Sequence, residues 1–466
     1  MVGPAGPSST APAISGSGGS SRVCVRSMSK RPRILVLFPK DWDRYHYARP
    51  EMANAYDVRF LGFDLFSFPE NVRLLYFDVE RYIDKCVAYC RRHGINAVIS
   101  NHEPIGAAVA AAVAEQLGLP TPGLRAVMLS QHKLASRQVL KRALPDNVPD
   151  FAPFPYDIRD AAAFPLPFPC FIKPVKATFS VLALRARGFD DVRNLLSLGL
   201  GERFVLNRLN HPHNILRHRI PEITVDADGM MAESLLDGQH VNVDGFAENG
   251  TPHILGICDE HMYPHTDAFS HFEYPSSVPA AAQQRIAEVA KQAAMALGFH
   301  HGFFNMEMSY DRRRDAISII EVNPRMASQM MSLYADALGV DAYPMEAELA
   351  LGRTPPRAEP RPHPGVAASF AFRRFDGRQV TRPSREQIDR MVAAVPDAKL
   401  MLYIKPMSGV RREMRWMGSY RYALVNFGAP DQAELYRRFG MVARILGYDD
   451  VEARSFVPAT PVASTA

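Results

Sequence analysis

Two spacings of apolar residues alternate along the first part of the chain. Arg33–Pro39 reads RILVLFP, a short apolar run of the kind that makes a buried parallel strand, and Val58–Phe63 is a second. Ile83–His93 has helical spacing and stops at Gly94. Ala97–Ser100 predicts a third strand, and Ile105–Leu117 another helix ending at Gly118. Such strand–helix alternation predicts a small parallel α/β unit. Asn101, His102, Glu103 and Pro104 then fall at the C-terminal end of a strand, where open α/β sheets bind ligands; an ordinary polar loop reads the same way.

Further on the pattern changes. Ser130 is the expected cap of a helix running to about Leu144, where Pro145 stops it and a Pro-rich boundary follows. Phe168–Lys173 predicts a strand and Val181–Arg185 its return. Met230–Glu233, Val241–Phe246 and His253–Ile257 predict strands separated by Asp-Gly and Asn-Gly turns. Ala281–Leu297 is the clearest helix, with Ile286, Val289, Ala290, Ala293 and Leu297 on one stripe. Phe303–Ser309 and Ala316–Asn323 predict two strands joined by a charged turn. Residues 353–364 read as a linker. The last unit predicts strands at Ala368–Arg373, Leu400–Ile404 and Ala423–Phe427 and a helix at Asp431–Leu446.

Composition narrows the function classes. The 466 residues are 47% hydrophobic and 22% charged, which fits a globular protein with a sizeable core. No apolar stretch reaches membrane-spanning length, so no membrane partner is expected. Residues 1–31 are rich in Gly, Ser, Ala and Pro and lack the apolar segment of a secretory signal; they predict a disordered extension, with Met28 as an alternative start. The five Cys form no C-x-x-C pair, as expected of a reduced cytoplasmic protein without a zinc site. The net charge of +5 is uneven: residues 357–454 carry 16 Arg and 2 Lys against 11 acids, a surplus of seven, leaving −2 elsewhere. These charges are scattered, which favours a solvated surface or an anion-binding lobe over a nucleic-acid site.

The densest chemistry lies in FFNMEMSYDRRRDAISIIEVNPR, residues 303–325. Strand side chains alternate between faces, so on the first strand Asn305 and Glu307 share a face with Phe303, and on the second Glu321 and Asn323 share a face with Ile317 and Ile319. An antiparallel hairpin turning near Arg313 sets Glu321 opposite Glu307 or one diagonal step away. Two carboxylates side by side need a cation, or one must stay protonated. Carboxylate and amide oxygens suit Mg²⁺, which also takes phosphate oxygens. Exposure to screening water is the competing reading, and it leaves Asn323 and Arg325 without a reason.

Glu307 followed by Glu321, Asn323 and Arg325 resembles the metal-binding end of the ATP-grasp superfamily, which includes carboxylate–amine (L-amino-acid) ligases and biotin carboxylase. The resemblance implies that Glu307, Glu321 and Asn323 hold Mg²⁺, with Mn²⁺ as a substitute, on the phosphates of ATP. It implies that Arg325 stabilises the transferred phosphoryl group. Lys133, Arg137 and Leu140 match the helix that carries the family's first phosphate-binding lysine, although His132 replaces the usual Asp. Lys173 matches the second lysine. Thr178 and Ser180 fall where the family has a phosphate-covering loop, here without glycine. Glu233 and Leu236 match the adenine-binding hinge, and His240 stands where peptide ligases have a ribose-binding Glu. His271 and Glu273, in an expected loop over Asp259–Pro275, are candidates for substrate contact.

The implied fold class is α/β, becoming α+β in the ATP-grasp part. A pre-ATP-grasp α/β domain would span 32–125, a two-lobed ATP-grasp domain 126–355, a small C-terminal α+β lobe 356–456 and a disordered tail 457–466. The implied reaction activates a carboxylate as an acyl-phosphate and joins it to an amine, releasing ADP and phosphate. Bicarbonate activation, as in biotin carboxylase, and non-catalytic nucleotide binding are the alternatives. Small-molecule carboxylate and amine substrates are the expected partners, and a homodimer is left open. Neither a G-x-S-x-G nor a P-loop motif is present.

Overall fold

The computed structural model describes residues 31–63, 72–73, 76–177, 181–356 and 365–448. The expected disordered ends other than Arg31, with Cys24, Thr178 and Ser180, lie outside them. Chain order fills three sheets in turn. β1 (Arg33–Leu37), β2 (Asp57–Leu61) and β3 (Ala97–Ile99) form a parallel sheet in the order β2-β1-β3. Ile34, Leu35, Val36 and Leu37 are fully buried, the mark of a parallel strand covered on both faces. The helix Val79–His93 buries Val79, Ile83, Cys86, Val87 and Cys90 and ends at Gly94, whose φ of 58° suits a residue without a side chain. The Ala-rich helix Gly106–Leu117 is buried from Gly106 to Ala114, since its small side chains admit close neighbours all round.

β4 (Phe151–Phe154), β5 (Cys170–Pro174), β6 (Leu184–Ala186) and β7 (Met230–Ser234) make an antiparallel sheet in the order β4-β7-β5-β6. Cys170, Ile172, Met230 and Ala232 pack on one face with Val192 and Leu196. Alternation therefore turns Lys173 and Glu233 to the other face.

The third sheet has eight strands: β8 (Gln239–Glu248), β9 (Thr251–Met262), β10 (Phe269–Tyr274), β11 (Gly302–Asp311), β12 (Ala316–Asn323), β13 (Val366–Arg374), β14 (Lys399–Leu402) and β15 (Tyr420–Ala429). Their order is β12-β11-β8-β9-β10-β13-β15-β14. The strands of the C-terminal region do not make a sheet of their own: β13 pairs antiparallel with β10 and prolongs the central one. The helix Ala280–Leu297 buries Ile286, Ala290, Ala293 and Leu297 in one core with Val241, Val243, Met306 and Met308. The helix Gln432–Leu446 covers Phe370, Val425 and Phe427 farther along that same face.

Three expectations need correction. The single helix expected from Ser130 is two, Leu124–Gln131 and Lys133–Ala143. The second is capped by the His132 ring, which accepts from the Ala135 N–H at 3.1 Å, while Ser130 Oγ donates to the Ala126 carbonyl within the first helix. Burial holds the His132 pKa down at about 4, keeping that ring nitrogen an acceptor. The expected loop at Asp259–Pro275 is largely strand, the end of β9 and all of β10. Leu200–Leu216, for which no element was expected, is a helix with Pro212 inside it. No helix among the described residues is long and apolar enough to cross a membrane.

Candidate active site

The hairpin of β11 and β12 places Glu307 directly opposite Glu321 and Asn305 opposite Asn323, with a register shift just beyond Glu307. On the next strand Asn242 faces Glu307 and donates to Glu260 at 3.0 Å. An amide ladder fixes the rest: Asn305 Nδ2 donates to Asp244 at 3.1 Å and Asn323 Nδ2 donates to Asn305 at 3.2 Å, so Asn323 Oδ1 is left as an acceptor. Tyr334 secures Asp244 with a 2.7 Å hydrogen bond. Its ring lies where a side chain on Gly256 would be, so that glycine permits the approach.

The sheet face is thus crowded with acid. Burial, then Glu260, Glu321 and Glu103, push the Glu307 pKa up to about 8 despite Arg325. Burial lifts Glu260 to about 7. Glu260 was not foreseen, because the length of β9 was not.

Cations meet this face from the smaller sheet and its neighbours. Lys133, first residue of its helix, contacts Glu321 Oε1 and the Ala177 carbonyl, each at 2.8 Å. Burial opposes its charge, but Glu321 and Glu103 more than offset this and its pKa lies above the usual value. Lys173 Nζ lies 2.8 Å from Glu233, whose other oxygen meets Arg137 at 2.6 Å. Burial alone would raise Glu233; Arg137 and Lys173 bring it down to about 2. Glu103, from the loop after β3, pairs with Arg325 at 3.1 Å. Lys176 stands out from these. It is 5% exposed and its ammonium has no hydrogen-bond partner among the described residues. Burial lowers its pKa to about 8, with Glu103, Lys133, Glu321 and Arg325 all within electrostatic reach.

Leu236 lies half-buried in the link between β7 and β8, and His240 follows on β8, opposite Ser309 and Glu260. The link turns at Gly238, where φ is 111° and a side chain would strike the Tyr310 backbone. His271 and Glu273 are not in this group. They sit on β10, facing away from the carboxylates: His271 contacts the Tyr436 hydroxyl at 2.9 Å, and Glu273 accepts from Tyr436 and Gln432 at 2.9 and 2.7 Å. Phe272 between them is opposite Glu260. The period-two alternation of a strand, absent from a loop, turns the two residues toward the helix Gln432–Leu446.

The donor set suits a hard divalent cation: the carboxylates of Glu307 and Glu321 stand on paired positions with Asn323 two residues along β12, and a cation would offset the burial and neighbouring acids that raise the Glu307 pKa. Lys133 supplies one positive charge to Glu321 in its place. The facing cations suit phosphate oxygens.

Comparison with known proteins agrees with this geometry. The ATP-grasp domain pattern matches residues 166–333. No curated protein matches the chain by sequence. An L-amino acid ligase from Bacillus licheniformis superposes with a TM-score of 0.63 at 16% identity, over 89% of this chain and 97% of its own. An N5-carboxyaminoimidazole synthase from Aspergillus clavatus, in complex with ADP and 5-aminoimidazole ribonucleotide, gives 0.60 at 13%, over 89% and 98%. A biotin carboxylase from Campylobacter jejuni gives 0.59 at 14%, over 89% and 91%. At such identities the likeness is one of fold. The domain match spans Lys173, Glu233, Glu307 and Glu321, so residues 166–333 carry an ATP-grasp domain within that fold.

Proposed function

We propose that the chain is an ATP-dependent carboxylate–amine ligase. The observation that carries this reading is the direct pairing of Glu307 with Glu321 beneath Lys133 and the orphaned Lys176. Phosphoryl transfer asks a protein for positioning and charge neutralisation more than for a covalent group. Lys133, Lys173 and Lys176 would hold phosphate oxygens, and Leu236 would pack on the adenine beside the Glu233 backbone. Glu307, Glu321 and Asn323 would hold Mg²⁺, which supplies neutralisation of the terminal phosphates. A substrate carboxylate oxygen attacks the γ-phosphorus, the bond to the β-phosphate oxygen breaks and ADP leaves. An amine then attacks the acyl carbon, loses a proton and expels phosphate. Arg325 would stabilise charge on the transferred group, with Glu103 holding its guanidinium in place.

The test is ADP and AMP release from Mg²⁺-ATP over a matrix of carboxylates and amines. The expected product is ADP, stimulated by a carboxylate and fastest with an amine also present. Glu307→Gln should lower turnover at least 100-fold while the protein stays folded by circular dichroism. AMP as the product, or ADP release that no carboxylate stimulates, would overturn the assignment.

A further inference from the structure

Within electrostatic reach of Arg325 lies positive charge that nucleotide chemistry does not use. Lys40 follows β1 at the start of the helix Asp41–Tyr47, and its side chain has no ion-pair or hydrogen-bond partner among the described residues. Trp42, two residues on, packs in one apolar cluster with Phe269 and Tyr403. The Arg421 guanidinium lies over those same rings, 4.9 Å from the centre of Tyr403 and 5.9 Å from that of Phe269, and it too has no acidic partner among the described residues. Arg421 stands directly opposite Arg373 across β13 and β15, an arrangement that costs stability unless an anion is nearby.

The acids in this neighbourhood are committed. Glu103 holds Arg325, Glu413 holds Lys405, and Asp43 accepts from Asn101, Ser328 and Tyr343. Exposed Asp41 is the one left over. Burial, then Arg325, lower the Lys40 pKa to about 8; Asp43 and Glu103 oppose this, and Arg421 adds to it. Lys40, Arg325, Phe269, Tyr403 and Arg421 are each partly exposed, as groups that meet a ligand must be.

We propose that Lys40 and Arg421 bind a second carboxylate of the substrate, so that the acid activated here is a dicarboxylate with its reacting end at Arg325 and its far end at Arg421. This rests on the carboxylate-activating reading above. An arginine fork fits a planar carboxylate with two hydrogen bonds, and a lysine adds a point charge.

Calorimetric titration of the full chain with Mg²⁺-ADP present reads this site without turnover. The probes are succinate, glutarate and adipate, each against the monocarboxylate of equal chain length. At least one dicarboxylate should bind about tenfold or more tightly than its monocarboxylate partner, the worth of one charge-assisted contact. Lys40→Met and Arg421→Met should each shrink that ratio about tenfold. Equal binding of both classes overturns the proposal, and so does a preference that survives both substitutions. ADP release measured on the same pairs separates the two readings. Dicarboxylate binding without ADP release keeps this site and removes the ligase; ADP release driven equally by monocarboxylates keeps the ligase and removes this site.

Discussion

At the scale of single residues the site is organised around charges that do not balance. Lys176 is the sharpest case, since an ammonium buried without a partner costs free energy that something else must offset. A bound phosphate oxygen would do so. Lys176→Met should therefore raise the thermal midpoint of the nucleotide-free protein, by about 1–3 kcal/mol of stability, while raising the KM for ATP about tenfold or more. A structural lysine would give the opposite stability change, so calorimetry and kinetics together decide. Legibility at this scale was uneven. Asn305 and Glu307 could be set on one face because alternation is local, but the register shift beside Glu307 turns Glu321 and Asn323 away from Ile317 and Ile319, with which alternation had grouped them. Lys176 could not be singled out, because its isolation depends on Glu103, Lys133 and Glu321 arriving from three distant segments.

At the scale of elements, the helix Ala280–Leu297 followed from its stripe, whereas the turn set the register of β11 against β12 only as far as Met308, and a one-residue shift beyond it brings Glu321 opposite Glu307. The face of β10 did not, because a run dense in His, Asp and Glu reads as a solvated loop until a partner strand is known. The contact between the helices Asp41–Tyr47 and Ala342–Ala350 was equally hidden, since it joins residues about 300 apart in sequence. Glu346 is buried there, accepting from the Tyr47 hydroxyl at 2.7 Å and Asn101 at 3.2 Å. Burial, then Asp43, push its pKa up to about 8. Its folded value lies above the unfolded one, ~4.3, so its contribution is full below ~4.3 and is lost as pH rises through 8. Glu346→Gln keeps the shape and removes the titration. The parent should lose up to ~1.4 kcal/mol per pH unit relative to this variant between pH 5 and 8. Denaturation curves that stay parallel across that range would show that Glu346 ionises normally.

At the scale of the whole molecule, the expected separate lobe at 356–456 contributes three strands to the central sheet. Composition marked that region as basic but could not reveal the β10–β13 pairing, which joins strands about 100 residues apart. Ending the chain at residue 356 would leave β10 as an open edge and strip Tyr436 and Phe370 from around His271. The truncated protein should aggregate or unfold without a cooperative transition in size-exclusion chromatography and calorimetry. A monodisperse, ATP-binding fragment would show instead that the C-terminal strands are an independent addition.

The single eight-stranded sheet carries a consequence for recognition. Glu307 and Glu321 lie near one edge and Arg421 lies on the second strand from the other, so the span between them is set by strand spacing, ~4.8 Å per step. That backbone is a ruler laid beneath the substrate. In the proposed reaction nucleotide capture would fall instead to groups on the separate four-stranded sheet, which carries Lys173 and Glu233. Choice of substrate and admission of nucleotide would thereby rest on different pieces of backbone, and side chains lining the first could be exchanged for a shorter or longer acid while the second is left as it stands.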